Sequence, residues 1–197
     1  MMWTEVILIG VAYLVGSVSS AVLISKAMGL PDPRTEGSKN PGATNVLRVG
    51  GKKAAILTLL GDVLKGWLPV VIGKALGIST GFLALIGLAV FLGHLYPVFF
   101  KFRGGKGVAT ALGVLLGIAW PVGLLVLMTW LLVVLVSKIS SLAALVAAVM
   151  SPLYMLYLVD TRVFVLMNIF MSLLLFYRHR SNIKNLISGT EGRLGGH

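Results

Sequence analysis

The sequence predicts an all-α integral membrane protein: a bundle of seven transmembrane helices, some of them short, with the N-terminus outside and the C-terminus cytoplasmic. Three observations predict it. Hydrophobic residues fill 57% of the 197 positions and charged residues only 12%, with a mean hydropathy of +0.97, outside the range of soluble domains. The apolar residues come in runs of about 20, the length that crosses ~30 Å of hydrocarbon at 1.5 Å per residue. The cations gather in alternate connecting segments, as they do on the cytoplasmic side of a membrane. No polar region is long enough to fold separately, so residues 1–197 read as a single membrane-embedded domain.

The opening run "MMWTEVILIGVAYLVGSVSSAVLISK" lacks a positive leader and is too long for the apolar core of a signal peptide, so it predicts a first span over 6–28. Within it "GSVSSA" (16–21) reads as small-residue helix packing. After a polar segment at 31–53, "AAILTLLGDVLKGWLPVVIGKALG" predicts the second span. Asp62 and Lys65 stand three apart near its middle, where they can neutralise each other inside the bundle. The third span covers 82–99, and His94 near its cytoplasmic end reads as a hydrogen-bonded packing residue. From 108 to 136 there is no charge. One helix of that length would reach ~43 Å, too long without strong tilt, so the break "AWPVG" at 119–123 predicts two short spans. "SKISS" (137–141) leads to a sixth span ending near 158, "DTR" (160–162) is a tight turn, and a seventh span ends near 177.

Parity orients this layout. With seven spans, segments 26–53, 101–106, 137–141 and 178–197 share one side and hold fourteen of the 17 Lys and Arg, leaving only Lys65, Lys74 and Arg162 elsewhere. That side is cytoplasmic. Six spans would throw the basic tail to the opposite face.

Composition also excludes chemistry. There are no cysteines, hence no disulfide, thiolate nucleophile or Cys-held metal. His94, His179 and His197 are scattered, without metal-site spacing, so no metal and no cofactor are expected. The net charge of +11 is largely an orientation signal that also favours anionic membrane lipid. Nucleic acid is not an expected partner, since no soluble basic domain carries the charge.

Three segments on the cytoplasmic side combine glycine, cations and hydrogen-bonding side chains. In "GSKNPGATNVLR", Gly37 and Gly42 relax the backbone into an anion-binding nest, and a helix restarting after Pro41 would add its own N–H groups. Ser38, Asn40, Thr44 and Asn45 offer further donors, and Arg48 can grip a phosphate with two parallel bonds. In "RGGKG", Gly104, Gly105 and Lys106 precede a helix opening at Val108. This is not a Walker A loop: Gly107 follows Lys106 where Ser or Thr is needed, and Phe100 stands where a glycine is required. As a phosphate cradle it remains sound, with Lys106 as the point charge. In "YRHRSNIKN", Arg178, His179, Arg180, Asn182 and Lys184 crowd together. A cationic collar alone has no use for His179 and Asn182.

The stretches "GSKNPGATNVLR", "DVLKG", "GHLYPVFFKFRGGKGVAT" and "YRHRSNIKNLISGTE" resemble the motifs of the bacterial acyl-phosphate:glycerol-3-phosphate acyltransferases, the PlsY type, in order and over nearly the whole chain. One departure is Lys39, where small residues such as Gly are common in that family. The resemblance implies transfer of a fatty acyl group from acyl phosphate to the 1-hydroxyl of sn-glycerol 3-phosphate, the first step of bacterial phospholipid synthesis. It implies a multi-pass enzyme of the inner membrane, with its site on the cytoplasmic face and no cofactor. The enzyme is expected to act as a monomer on glycerol 3-phosphate and fatty acyl phosphate. The His-x₄-Asp pair of the other large acyltransferase class is absent: five residues past His94 is Phe99, and five past His179 is Lys184.

On that resemblance Lys106, His179, Ser38 and Arg48 are the expected catalytic residues. Arg48 with the Ser38/Asn40 region binds phosphate, and Lys106 with Gly104 and Gly105 holds the acyl phosphate and the developing charge. His179 and Asn182, beside Arg178, orient glycerol phosphate, and Thr44 and Asn45 complete the pocket. Acyl phosphate is already activated, so direct attack without an acyl-enzyme is expected, with the proton going to the phosphate group or to His179. A transporter would place its polar residues near the bilayer midplane. Here only Asp62 and Lys65 lie there.

Overall fold

In the computed structural model, residues 2–195 are described. Met1 and His197, to which the N-terminus and one scattered histidine were assigned, lie outside them. Among the described residues every regular element is helical: α1 Met2–Ser17, α2 Ser20–Ala27, α3 Ala43–Ala75, α4 Thr80–Leu95, α5 Val108–Ile118, α6 Trp120–Ser137, α7 Ser140–Leu158, α8 Arg162–Arg178 and α9 Arg180–Ile187, with a 3₁₀ turn at Val98–Phe100. Four helices (α3, α4 with its 3₁₀ turn, α6 and α7) are long and apolar enough to cross a membrane, or up to six spans if each bent pair counts as one. The protein is thus a multi-pass membrane protein. The remaining helix, α5, has 11 residues, about 16 Å, which falls short of the hydrocarbon thickness. The seventh expected span therefore depends on α5.

The first span departs from expectation. Instead of one helix over 6–28, α1 and α2 meet at a 45° bend, because Ser19 leaves the helical region (φ −88, ψ 100) and its hydroxyl caps the N–H of Val22. The bend is used twice, since it exposes the Val18 carbonyl to the Lys65 ammonium, 2.7 Å away, and the Ser17 hydroxyl to the Val98 N–H, 3.3 Å away.

The chain divides into two compact units, Met1–Ile118 and Ala119–His197. In the first, α1 lies on α4 and α3 on α5. Both contacts are made by glycines that let backbones meet, the interface membrane helices favour. A Cβ on Gly16 would run into the Val90 backbone, and one on Gly93 into Tyr13 and Ser17. On the other contact, a Cβ on Gly66 would meet Thr110, and one on Gly113 would meet Val63 and Trp67. Helix α3 is broken by Gly51 (φ 78, ψ −179). Its first part carries Thr44, Asn45 and Arg48; residues 52–75 then span ~36 Å. The last part presents Lys74, whose ammonium caps the α5 C-terminus through the carbonyls of Gly117 (3.2 Å) and Ile118 (3.0 Å).

In the second unit α7 packs between α6 and α8. Apolar contact gives little preference between helices in lipid, and here polar pairs add to the packing. Ser151 donates to Asn168 Oδ1 (2.7 Å), Ser172 to the Ala148 carbonyl (2.8 Å), and Thr129 pairs with Tyr154 (2.9 Å). Helix α9 turns 61° away from α8, with Ile183 and Leu186 half-buried on one side and Ser181, Lys184 and Asn185 exposed on the other. That is the composition of a helix lying in a membrane interface.

Candidate active site

In the first unit, segments 31–48 and 96–107 meet at one end. The Asp32 carboxylate grips Arg34 through Nε (3.0 and 3.1 Å) and Nη2 (2.6 Å), and the Arg34 guanidinium lies 5.3 Å from the centre of the Phe100 ring. The hydrogen bonds from Arg34 hold the Asp32 carboxyl below the usual carboxylate range against a smaller opposing effect of burial.

Asn45 organises the loop above α3. Only 1% exposed, it donates through Nδ2 to the carbonyls of Pro33 (2.8 Å) and Glu36 (3.0 Å) and accepts the Ser38 N–H at Oδ1 (2.8 Å). Expected as a pocket-lining residue, Asn45 spends its side chain on the protein itself. Gly37 is required for this: it has φ +59, and a Cβ there would strike Asn45 Oδ1. Gly42 ends the loop as the N-cap of α3, without a side-chain cap. Ser38, Gly37 and Arg48 are exposed and Asn40, Gly42 and Thr44 half-buried, so they surround the positive end of α3. Thr44 and Arg48, four apart, share one helix face.

The second segment starts from left-handed Lys101 and Phe102 (φ 52 and 58). The N–H groups of Gly104 and Gly105 then turn back to the carbonyls of Leu95 and His94, both at 3.2 Å. These glycines were expected to hold the acyl phosphate together with Lys106; their N–H groups bond to the end of α4. Each lets the chain lie flat on the end of α4, where a Cβ on Gly104 would meet His94 and Leu95 carbonyls and one on Gly105 the His94 ring. Lys106 follows, half-buried. The Gly107 carbonyl then accepts the Ala111 N–H (2.7 Å) and opens α5, placing a second helix N-terminus next to Lys106.

Below this turn lies a buried ionic group. Lys65 Nζ is 2.9 Å from Asp62 Oδ1, and His94 Nδ1 is 3.6 Å from the same oxygen. All three are at most 7% exposed. The Asp62–Lys65 neutralisation is as expected; the inclusion of His94 is not. The sequence signal existed, in an ionic i,i+3 pair and a histidine ten residues before a Gly-Gly turn. Only the fold joins them.

The third segment belongs to the second unit. His179, 2% exposed, sits at the α8–α9 bend, and its Nδ1 is 2.8 Å from the Leu175 carbonyl. A carbonyl only accepts, so Nδ1 carries the proton and Nε2 holds the lone pair of the neutral ring. Asn182 Nδ2 donates to Glu191 Oε1 (2.6 Å), and so does the Ser141 hydroxyl (2.6 Å). The Leu194 N–H completes the tie at the Lys138 carbonyl (2.7 Å). Sequence reasoning missed Ser141 and Glu191. Glu191 was detectable as one of only six acidic residues, standing within a cationic segment; Ser141 was not. Arg178 is half-buried beside them.

Among the described residues no three His, Cys, Asp or Glu side chains cluster to hold a metal. The first unit can bind anions at two helix N-termini, each with a cation; the second, by itself, can offer imidazole and amide groups to a polar substrate.

The chain matches the family model for glycerol-3-phosphate acyltransferase over residues 6–189. It is 60% identical to the glycerol-3-phosphate acyltransferase of Methylococcus capsulatus, over 97% of this chain and 96% of the relative. It is 54% identical to that of Thioalkalivibrio sulfidiphilus, over 93% and 91%. Among solved structures it is similar to PlsY, an integral membrane glycerol 3-phosphate acyltransferase, in its glycerol 3-phosphate form. That match has a TM-score of 0.93 and 42% identity, over 98% of this chain and 96% of that one. It is also similar to the lysophosphatidic acid form, with a TM-score of 0.91 and 41% identity. The chain belongs to the glycerol-3-phosphate acyltransferase family and is an acyltransferase.

Proposed function

We propose that this enzyme transfers a fatty acyl group from acyl phosphate to the 1-hydroxyl of sn-glycerol 3-phosphate, releasing lysophosphatidic acid and phosphate. The observation that carries this reading is that the first unit holds two helix N-termini with a cation each, α3 with Arg48 and α5 with Lys106, preceded by segments that meet where Arg34 lies over Phe100. Two phosphorylated substrates need two such anion sites. The solved relatives are described in forms with glycerol 3-phosphate and with lysophosphatidic acid, a substrate and a product of this reaction.

Arg48, Ser38 and Asn40 with Thr44 take one phosphate at the head of α3, on a loop that Gly37, Gly42 and Asn45 shape. Lys106 takes the acyl phosphate, on a turn whose course Gly104 and Gly105 permit. His179 and Asn182, with Arg178, orient glycerol phosphate, and residues 1–197 act as a single acyltransferase domain. The hydroxyl attacks the acyl carbon directly, the C–O bond to phosphate breaks, and the cations stabilise the oxyanion and the leaving phosphate. The leaving phosphate takes the hydroxyl proton: His179 points its Nδ1 to a main-chain carbonyl rather than to a carboxylate, which would strengthen a base.

The protein sits in the bacterial inner membrane as a monomer in contact with membrane lipid. Its N-terminus is outside, and its active site faces the cytoplasm. Helix α5 with residues 104–107 makes a short seventh span.

Purified enzyme should release phosphate only when acyl phosphate and glycerol 3-phosphate are both present, and should not use acyl-CoA. Ping-pong kinetics or turnover with acyl-CoA would overturn the reading. So would imidazole rescue of a collapsed His179→Ala enzyme, for the proton route alone.

A further inference from the structure

Three ionisable side chains, each at most 7% exposed among apolar helices, are costly to keep. Their position suggests a use. The chain of contacts runs from the Val18 carbonyl to Lys65 (2.7 Å), from Lys65 to Asp62 (2.9 Å), and from Asp62 to His94 Nδ1 (3.6 Å). The far edge of the His94 ring faces Gly105, where a Cβ would meet Nε2, Cε1 and Cδ2. The His94 carbonyl also accepts the Gly105 N–H. Ser17, Val18, Lys65, His94, Gly104 and Gly105 border a small cavity behind the turn, so the turn rests on the ring rather than on continuous packing. Lys106 is the next residue.

We propose that Lys65, Asp62 and His94 form a positioning set: Asp62, itself held by Lys65, fixes the His94 ring as the plate on which Gly104 and Gly105 lie, and thereby sets where Lys106 and the α5 N-terminus meet the acyl phosphate. This rests on the reading that Lys106 holds that substrate. The set touches no substrate. Its effect passes through the main chain of the turn, and a displacement of about 1 Å there is enough to cost of order 100-fold in rate.

The test uses the full-length enzyme, with steady-state constants for each substrate and a melting midpoint for each variant. His94→Phe and Gly105→Ala should lower kcat/KM for acyl phosphate by about 10- to 100-fold while leaving KM for glycerol 3-phosphate near wild type. His94→Asn, which keeps a polar atom at the Nδ1 position that faces Asp62, should restore part of the loss relative to His94→Phe. Because a single change at Asp62 strands a buried charge, the double variant Asp62→Leu/Lys65→Met serves as the folding-competent partner. It should fold and show the same acyl-phosphate defect, no worse when combined with His94→Phe. Wild-type kinetics in the double variant, or losses falling equally on both substrates, would overturn the proposal. Lys106→Ala separates the two ideas. If it leaves acyl-phosphate kinetics intact, the site reading fails and the positioning role with it. If it is defective while the His94 and Gly105 variants are normal, only the positioning role fails.

Discussion

Asn45 Oδ1 accepts the Ser38 N–H at 2.8 Å, so a buried amide inside α3 decides where an exposed hydroxyl stands above it. The same side chain closes two carbonyls of the loop. Asn45→Ala takes the side-chain partner from three main-chain groups, the buried Pro33 carbonyl among them, and should cost roughly 1–3 kcal/mol, with a large loss of turnover. Asn45→Asp should do no better, because a carboxylate cannot donate to the Pro33 and Glu36 carbonyls. Melting midpoints in detergent, with rates measured on the folded fraction, check both.

Lys39 occupies the left-handed region at φ +57, which Cβ sterics penalise. Lys39→Gly should stabilise the protein by about 0.5–1 kcal/mol after glycine's greater chain entropy is subtracted, whereas Lys39→Ala should not. This is the position where the sequence departs from the small residues common in the family. A Gly variant no more stable than the Ala variant would show that the loop does not hold this conformation.

The Asp32 carboxyl is held below its ordinary value of 3.8 in the folded chain by Arg34. A depressed folded value means the unfolded chain takes up protons first. The stabilisation is therefore fully present above pH 3.8 and is lost as pH falls through the lower folded value. Asp32→Asn should flatten the acid limb of a stability–pH curve and lower neutral-pH stability by the same amount, which is small because the pair is partly exposed. Unfolding midpoints between neutral and strongly acidic pH provide the comparison.

Glu191 binds Asn182 and Ser141 through one oxygen, both at 2.6 Å. Removing it releases the Asn182 amide and loosens the tail. Glu191→Ala should raise KM for glycerol 3-phosphate about 10-fold or more, the cost of a lost charge-assisted bond of about 1.5 kcal/mol or more. Ser141→Ala, which removes one partner and leaves Asn182 held, should cost less. An equal effect of the two on KM would mean that the tail, not Asn182, matters.

The legible parts were those with local causes. Apolar runs bounded by Gly, Pro and charge located the helices within a few residues, and the restart after Pro41 and the break at Ala119 were visible as such. The α1–α2 bend was not: "GSVSSA" packs as small residues and also breaks, because Ser19 caps a new helix that only the neighbouring α3 and α4 put to use. The jobs of Asn45, Gly104 and Gly105 were equally hidden. Their residue types suit a ligand as well as they suit the protein's own main chain, and only coordinates tell which partner takes the hydrogen bond.

By itself the sequence determined the chemistry available: a membrane-embedded chain without thiols, with cations biased to one side and three anion-suited segments. Composition and period depend on each residue's own solvation, which needs no partner. Tertiary structure alone decided which polar group answers to which. It joined Lys65, Asp62 and His94, set Lys74 on the end of α5, and bound Glu191 to Asn182 and Ser141, because buried charges and amides must find partners within about 3 Å wherever the fold supplies them.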